Sequence, residues 1–282
     1  MKKSIIAGAV ALSMFTVAAQ AADVTVYGQV EEAIVTTGGT SDVVGDNVLG
    51  VKASETLDTN ITGYAKVEFG IDEDAGANAD AITTREVYAG VDFGKHLAVQ
   101  AGKIKNLKKQ FANPVDIMQG NSFGITGQGR VDDQVQAFAT VGNFKLGLAT
   151  TLDGQAGSDS IGETREIGVS ADLGPVTLSA VNTKTGSTGV TENVFAAKTK
   201  IDIVSLALTY EPDATNKTTT GVASVDFGKQ TYRAGYAYVD GGDNTVIGEV
   251  AHNFSKRTAA FVNYKKAENA DQIFSVGLVH RF

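Results

Sequence analysis

Apolar and polar residues alternate one by one along most of this chain, which is the two-residue period of a β-strand. At the C-terminus, Phe282, His280, Leu278, Val276 and Phe274 fall on one largely apolar face. Arg281, Val279, Gly277 and Ser275 fall on the other. The pattern opens at residues 24–31, where Val, Val, Gly and Val alternate with Thr, Tyr, Gln and Glu. Ile167, Val169, Ala171 and Leu173 likewise oppose Glu166, Gly168, Ser170 and Asp172, and Val204, Leu206, Leu208 and Tyr210 oppose Ser205, Ala207 and Thr209. About sixteen such segments follow one another, and none reads as a long helix. An apolar strand ending at a bare chain terminus is a liability in a soluble sandwich. In a closed membrane barrel it is the natural seam, because the last strand pairs with the first.

The connections sort by length. Residues 57–60, 93–95, 141–142, 173–175, 201–202, 227–229 and 254–256 are short turns; the interleaved connections, such as 37–46 and 153–162, are longer and rich in Gly, Ser, Thr, Asp and Asn. Short turns on one side and longer loops on the other are how up-and-down outer-membrane barrels are built, whereas Greek-key sandwiches need not sort their loops this way. Phe69, Phe93, Phe144, Tyr210, Phe227, Phe254 and Phe282 gather near strand ends, as interface girdles do. From Lys103 to Arg130 the alternation breaks down. Structureless loops of that length usually carry function, and a barrel of this size leaves an aqueous channel into which the stretch 104–128 can fold.

Composition adds the compartment. Met1-Lys2-Lys3 is followed by an apolar run and Ala19-Gln20-Ala21, the pattern of a secretory signal peptide cleaved after Ala21. This predicts a signal of residues 1–21 and a barrel domain of residues 22–282. Without Lys2 and Lys3 the 24 basic residues become 22 against 32 acidic ones, a formal charge of −10, which excludes a nucleic-acid partner. With no cysteine in the chain, disulfides, thiol nucleophiles and thiolate metal sites are excluded. The three histidines, His96, His252 and His280, fall at a predicted turn and near strand ends. No zinc-protease, phosphate-loop or hydrolase motif accompanies them. The sequence therefore predicts no enzyme, catalytic residue, metal site or cofactor.

Several stretches together resemble the Gram-negative general porin family. They are Val24-Thr25-Val26-Tyr27-Gly28, Leu49-Gly50-Val51-Lys52 with Glu55, Arg85 with Tyr88-Ala89-Gly90-Val91, Phe93-Gly94 and Ala101-Gly102-Lys103. Phe254-Ser255-Lys256-Arg257-Thr258 and the Val276-Gly277-Leu278 to Phe282 end complete the set. The resemblance spans the mature chain. It implies a homotrimeric barrel of about sixteen strands in the cell outer membrane, with a long third loop folded into the pore. It further implies contact with outer-membrane lipid and lipopolysaccharide, folding by barrel-assembly machinery, and passive diffusion of small hydrophilic solutes and ions. The chain departs from the family where Val48 replaces a frequent pore-lining arginine, where Asp116 is the one acid of the third loop, and in its short outer loops.

Alternation and resemblance together place Lys52, Arg85 and Arg130 inside the barrel, where a cation avoids the roughly 2–4 kcal/mol cost of facing mid-membrane lipid. The alternative for each is a solvated rim position beside an acid such as Asp132. The expected pore constriction is Lys52, Arg85 and Arg130 facing Asp116, which predicts weak anion preference or near neutrality. Alternation counted from Tyr88 points Glu86 outward, to a subunit interface. Phe282 is expected to face lipid and serve as the assembly signal. The other functional reading is a solute-selective channel, for an anion or a sugar; a sugar channel calls for an aromatic track that Phe123 and Phe138 alone do not supply.

Overall fold

The computed structural model describes residues 23–72, 81–94, 96–121, 123–127, 129–152, 161–186, 189–212 and 216–282, and the side chains of these except 161–163. The expected signal segment, residues 1–21, and most of the 153–162 connection lie outside them. In chain order the elements are β1 (Asp23–Thr37), β2 (Thr40–Gly45 and Asn47–Asp58), β3 (Ile61–Ile71), β4 (Ile82–Asp92), β5 (Leu97–Lys105) and helix α1 (Leu107–Phe111). β6 (Arg130–Val141), β7 (Phe144–Leu152), β8 (Ile161–Leu173), β9 (Val176–Thr185), β10 (Thr191–Ile201) and β11 (Val204–Glu211) follow. The chain ends with β12 (Thr218–Phe227), β13 (Gln230–Val239), β14 (Thr245–Asn253), β15 (Thr258–Ala267) and β16 (Ile273–Arg281).

The two segments of β2 are one strand interrupted at Asp46. Both pair with β1 in a single register, Glu32 opposite Gly45 and Gln29 opposite Val48. Every strand pairs antiparallel with its neighbours in sequence, and β16 closes on β1 from Gln29↔Arg281 to Thr37↔Ile273. The result is a closed antiparallel barrel of sixteen strands. The connection expected over 37–46 is instead a two-residue hairpin. Gly38 (φ 58°) and Gly39 (φ 87°) both take the left-handed backbone that such a turn requires, so residues 40–45 join the sheet.

Polarity is inverted relative to a water-soluble domain. Leu146, Leu148, Ile167, Leu206, Leu208, Val250 and Leu278 stand exposed on the outer face. Among the described residues no helix is long and apolar enough to cross a membrane, so crossing falls to the strands. The buried apolar core lies inside the barrel. There Leu107, Ala112, Val115, Met118, Phe123 and Ile125 of the 106–129 loop pack on Ala149, Val181, Val194, Ala196, Val222 and Ile247 of the wall.

At the seam, Phe282 exchanges backbone hydrogen bonds with Gly28 (3.0 and 3.1 Å). A Cβ on Gly28 would stand 2.4 Å from the Phe282 ring, so the glycine makes the seat for the terminal aromatic. Phe282 shares the outward face with Phe274, Val276 and Leu278.

Candidate functional site: the lumen and its inward loop

Residues 106–129 cross the lumen, and the sequence explains how they are held. Asn106 caps α1, its side chain accepting from the Lys109 N–H (3.1 Å) and the Gly129 N–H (3.2 Å), while Nδ2 donates to the Gly127 carbonyl (2.8 Å). One side chain thereby ties the beginning of the loop to its end. Phe111 lies flat against the wall, where a Cβ on Gly147 or Gly168 would meet its ring at 3.0 and 3.2 Å, and stacks on Phe138 at 6.2 Å.

Four wall glutamates, all inward and buried, then take backbone N–H groups of the loop. Glu166 on β8 accepts from Leu107 (2.8 Å), Glu249 on β14 from Gln119 (2.7 Å), Glu31 on β1 from Gly120 (2.8 Å), and Glu211 on β11 from Thr126 (3.0 Å). Carboxylate acceptors make these stronger than ordinary amide bonds. Asn121 Nδ2 adds donations to Asn263 Oδ1 (2.6 Å) and Ser275 Oγ (2.9 Å). The loop is therefore a fixed wall of the channel.

The predicted cations lie on the inner face, but their partners differ from the expectation. Arg85 pairs with Asp46 and lies 3.4 Å from Glu68; Arg130 sits 3.1 Å from Glu68 and 3.4 Å from Glu86. Lys66 bridges Glu68 (2.8 Å) and Glu86 (2.9 Å), and Lys105 reaches Glu86 at 3.3 Å. Tyr27 donates its hydroxyl to Glu68 at 2.8 Å. Glu86 thus faces inward and is buried, contrary to the outward placement. Tyr88 itself faces the lumen, edge-on to Tyr64, with Val87 exposed on the outer face. A register shift also lets β4 carry one extra residue, Arg85, between the pairs Glu68↔Glu86 and Phe69↔Thr84. That bulge turns Arg85 and Glu86 into the same lattice.

Lys52 stands opposite Lys66 on the lumen face and rests 4.8 Å above the Tyr27 ring. Asp116 meets neither arginine. It accepts from Asn113 Nδ2 (3.3 Å) and, with Lys109, borders a 420 Å³ opening whose far wall includes Asp46, the partner of Arg85. The loop lysines divide. Lys108 is buried against Glu192, while Lys109 has no ion pair among the described residues. Burial holds the Lys109 ammonium below the usual lysine range, and nearby Asp116 only partly opposes this.

This part of the lumen thus gathers seven cations (Lys52, Lys66, Arg85, Lys105, Lys109, Arg130, Arg281) and five anions (Glu31, Asp46, Glu68, Glu86, Asp116), a balance of +2. Of these, sequence reasoning missed Lys66, Lys105, Lys109, Arg281, Glu31, Asp46, Glu68 and Glu86; for Lys66 and Glu68 a signal was present in their inward parity, two residues apart on β3. Among the described residues no cluster of His, Asp or Glu is placed to hold a metal ion.

A closed barrel with a charged lumen narrowed by its own loop defines a transmembrane channel protein. A profile of the Gram-negative porin family matches residues 8–272, and the chain belongs to that family, whose members are channels of the outer membrane. No curated protein matches it. Among solved structures it is similar to Salmonella typhi OmpF in complex with daunomycin, with TM-score 0.77 and 14% identity over 92% of this chain and 97% of that one. It is also similar to a loop-deletion mutant of Vibrio cholerae OmpT (TM-score 0.75, 14% identity, 93% and 100% covered). A triple mutant of Rhodopseudomonas blastica porin gives TM-score 0.70 at 15% identity, with 92% and 100% covered. At these identities the likeness concerns the fold.

Proposed function

We propose that this porin is a general diffusion channel for small hydrophilic solutes and ions, exported with a cleaved signal peptide of residues 1–21. The observation that carries the reading is the fixed loop. It leaves an opening of 420 Å³ bordered by Asp116, Lys109, Asp46 and other charged and amide side chains, with no stereospecific cradle. Phe123 and Phe138 pack with the loop core instead of lining that opening, so they make no sugar track. The +2 balance at the neck supports weak anion preference. At physiological salt the Debye length is about 8 Å, so neck charges outweigh distant rim acids.

Assembly as a homotrimer is part of this reading. Glu32 lies opposite Leu278 on the outward face; one carboxylate oxygen takes Asn47 Nδ2 (2.6 Å), and the other is buried without a hydrogen-bond partner among the described residues. A carboxylate on that face is better accommodated against a second subunit than against lipid. Liposome swelling with neutral sugars of rising size tests the function. Rates should fall with size alone, and one solute class far above that trend would replace general diffusion by selectivity. In planar bilayers Arg85→Ser with Arg130→Ser should raise conductance and move the reversal potential toward cations, and Asp116→Asn should move it the opposite way. Unchanged values in both would remove these residues from the neck.

A further inference from the structure

Most of the neck's cations are ion-paired with the carboxylates around them, but Lys109 of the loop and two wall lysines near short turns, Lys145 and Lys198, are not. Lys145 follows the 142–143 turn on β7, Lys198 precedes the 202–203 turn on β10, and Lys109 hangs from α1. All three flank one cavity of 220 Å³ between loop and wall, and no carboxylate lines it. None has an ion pair among the described residues. Lys145 is held by ring faces, 4.9 Å from the Phe138 centroid and 5.2 Å from that of Phe111, which fixes its position and leaves its charge uncompensated. Two acids outside the lining touch its neutral residues: Asp172 accepts from Thr177 Oγ1 at 2.7 Å and Asp116 from Asn113 Nδ2 at 3.3 Å.

We propose that Lys109, Lys145 and Lys198 form a binding site for small divalent oxyanions, met by a solute as it leaves the neck. The proposal rests on the open-channel reading and deepens it. Most neutral donors around the cavity are already engaged: Ser179 Oγ donates to the Phe111 carbonyl (2.7 Å), Gln110 Nε2 to Gln136 Oε1 (2.9 Å) and Asn113 Nδ2 to Asp116. Recognition is therefore by charge number and not by a directed set of hydrogen bonds. Such a site distinguishes a divalent oxyanion from chloride yet releases it quickly, as conduction requires. The site adds to the anion preference of the neck. The arginines there are paired, and the lysines around this cavity supply a further attraction that carboxylates in its lining do not offset.

Inorganic phosphate is the probe. Added to the short-turn side of channels conducting potassium chloride, it should reduce the current in a concentration-dependent way. Lys145→Gln with Lys198→Gln should raise the half-blocking concentration about tenfold, the scale of lost charge-assisted contacts. Lys198→Gln alone should fall between, and Arg85→Ser with Arg130→Ser should block like the parent. Absence of block, or equal block in the lysine variants, overturns the site. A folded protein that conducts nothing would instead sink the diffusion reading. In that case ³¹P line broadening by the detergent-folded barrel, lost in the double lysine variant, still supports the site, and its absence from the parent overturns it.

Discussion

Replacing Glu68 by Gln removes one charge from the middle of the neck while keeping the side chain's shape. Glu68 is buried and meets Lys66 at 2.8 Å, Arg130 at 3.1 Å, Arg85 at 3.4 Å and the Tyr27 hydroxyl at 2.8 Å. Breaking one side of a buried ion pair ordinarily costs about 3–5 kcal/mol. The lower end applies here, because Lys66 and Arg130 keep Glu86, and Arg85 keeps Asp46. The variant should therefore fold, with a lower temperature for heat modification on gels. The local balance moves from +2 to +3. One unit charge acting on an ion about 8 Å away in water is worth roughly 0.5 kcal/mol unscreened and about 0.2 kcal/mol after one Debye length. With opposite signs for the two ions, the anion-to-cation permeability ratio should rise between about two- and sixfold. Reversal potentials under a potassium chloride gradient measure this directly. A folded channel whose reversal potential stays put, or moves toward cations, would refute the charge tally of the neck.

Three further outcomes follow from the same geometry. Deleting Phe282 removes two backbone hydrogen bonds at the seam, each about 0.5–1.5 kcal/mol, and empties the seat on Gly28; the result should be protease-sensitive periplasmic protein in place of heat-modifiable barrel, checked by cell fractionation and gel shift. Glu166→Gln with Glu211→Gln weakens two loop anchors by about 1 kcal/mol each, the difference between charged and neutral acceptors. Single-channel recordings should then show noisier current and a higher mean conductance. Burial keeps the Lys109 ammonium below the ordinary lysine range, so its charge is lost as pH rises, ahead of exposed lysines. Anion preference should accordingly begin to fade at lower pH than exposed lysines alone would give, and reversal potentials of Lys109→Gln across the same pH series should lack that first step.

Strict alternation made the strands and their inward faces legible, because a sheet with lipid outside and water inside leaves each residue a binary choice. Glu31 and Glu166 were already on the polar face of that pattern. What they hold was not legible, since their partners are backbone amides of a loop far away in the chain. Glu86 failed for a different reason. Parity carries no information across a bulge: with Arg85 set inward, simple alternation had to turn its neighbour Glu86 outward, and the extra residue lets both face the lumen. The residues 37–46 read as a loop because their composition suits turns, yet two glycines sufficed and the remainder paired. Asp116 and Lys109 sit on irregular backbone, where no period exists to orient a side chain.

The anchoring of the loop bears on the order in which the barrel is made. Gln119 reaches Glu249 and Arg281 across 130 and 162 residues, and Asn121 reaches Ser275 across 154. Hairpin pairing needs only neighbours in sequence, so the strands preceding the loop can zip as they are delivered. The loop cannot gain its full set of partners until the last three strands arrive. Its apolar residues must wait, already enclosed by a growing half-shell, for the chain end to be delivered. Closure of the wall and docking of the loop are then a single late event, and an intermediate that stalls before β14 carries its unsatisfied hydrophobic surface on the inside.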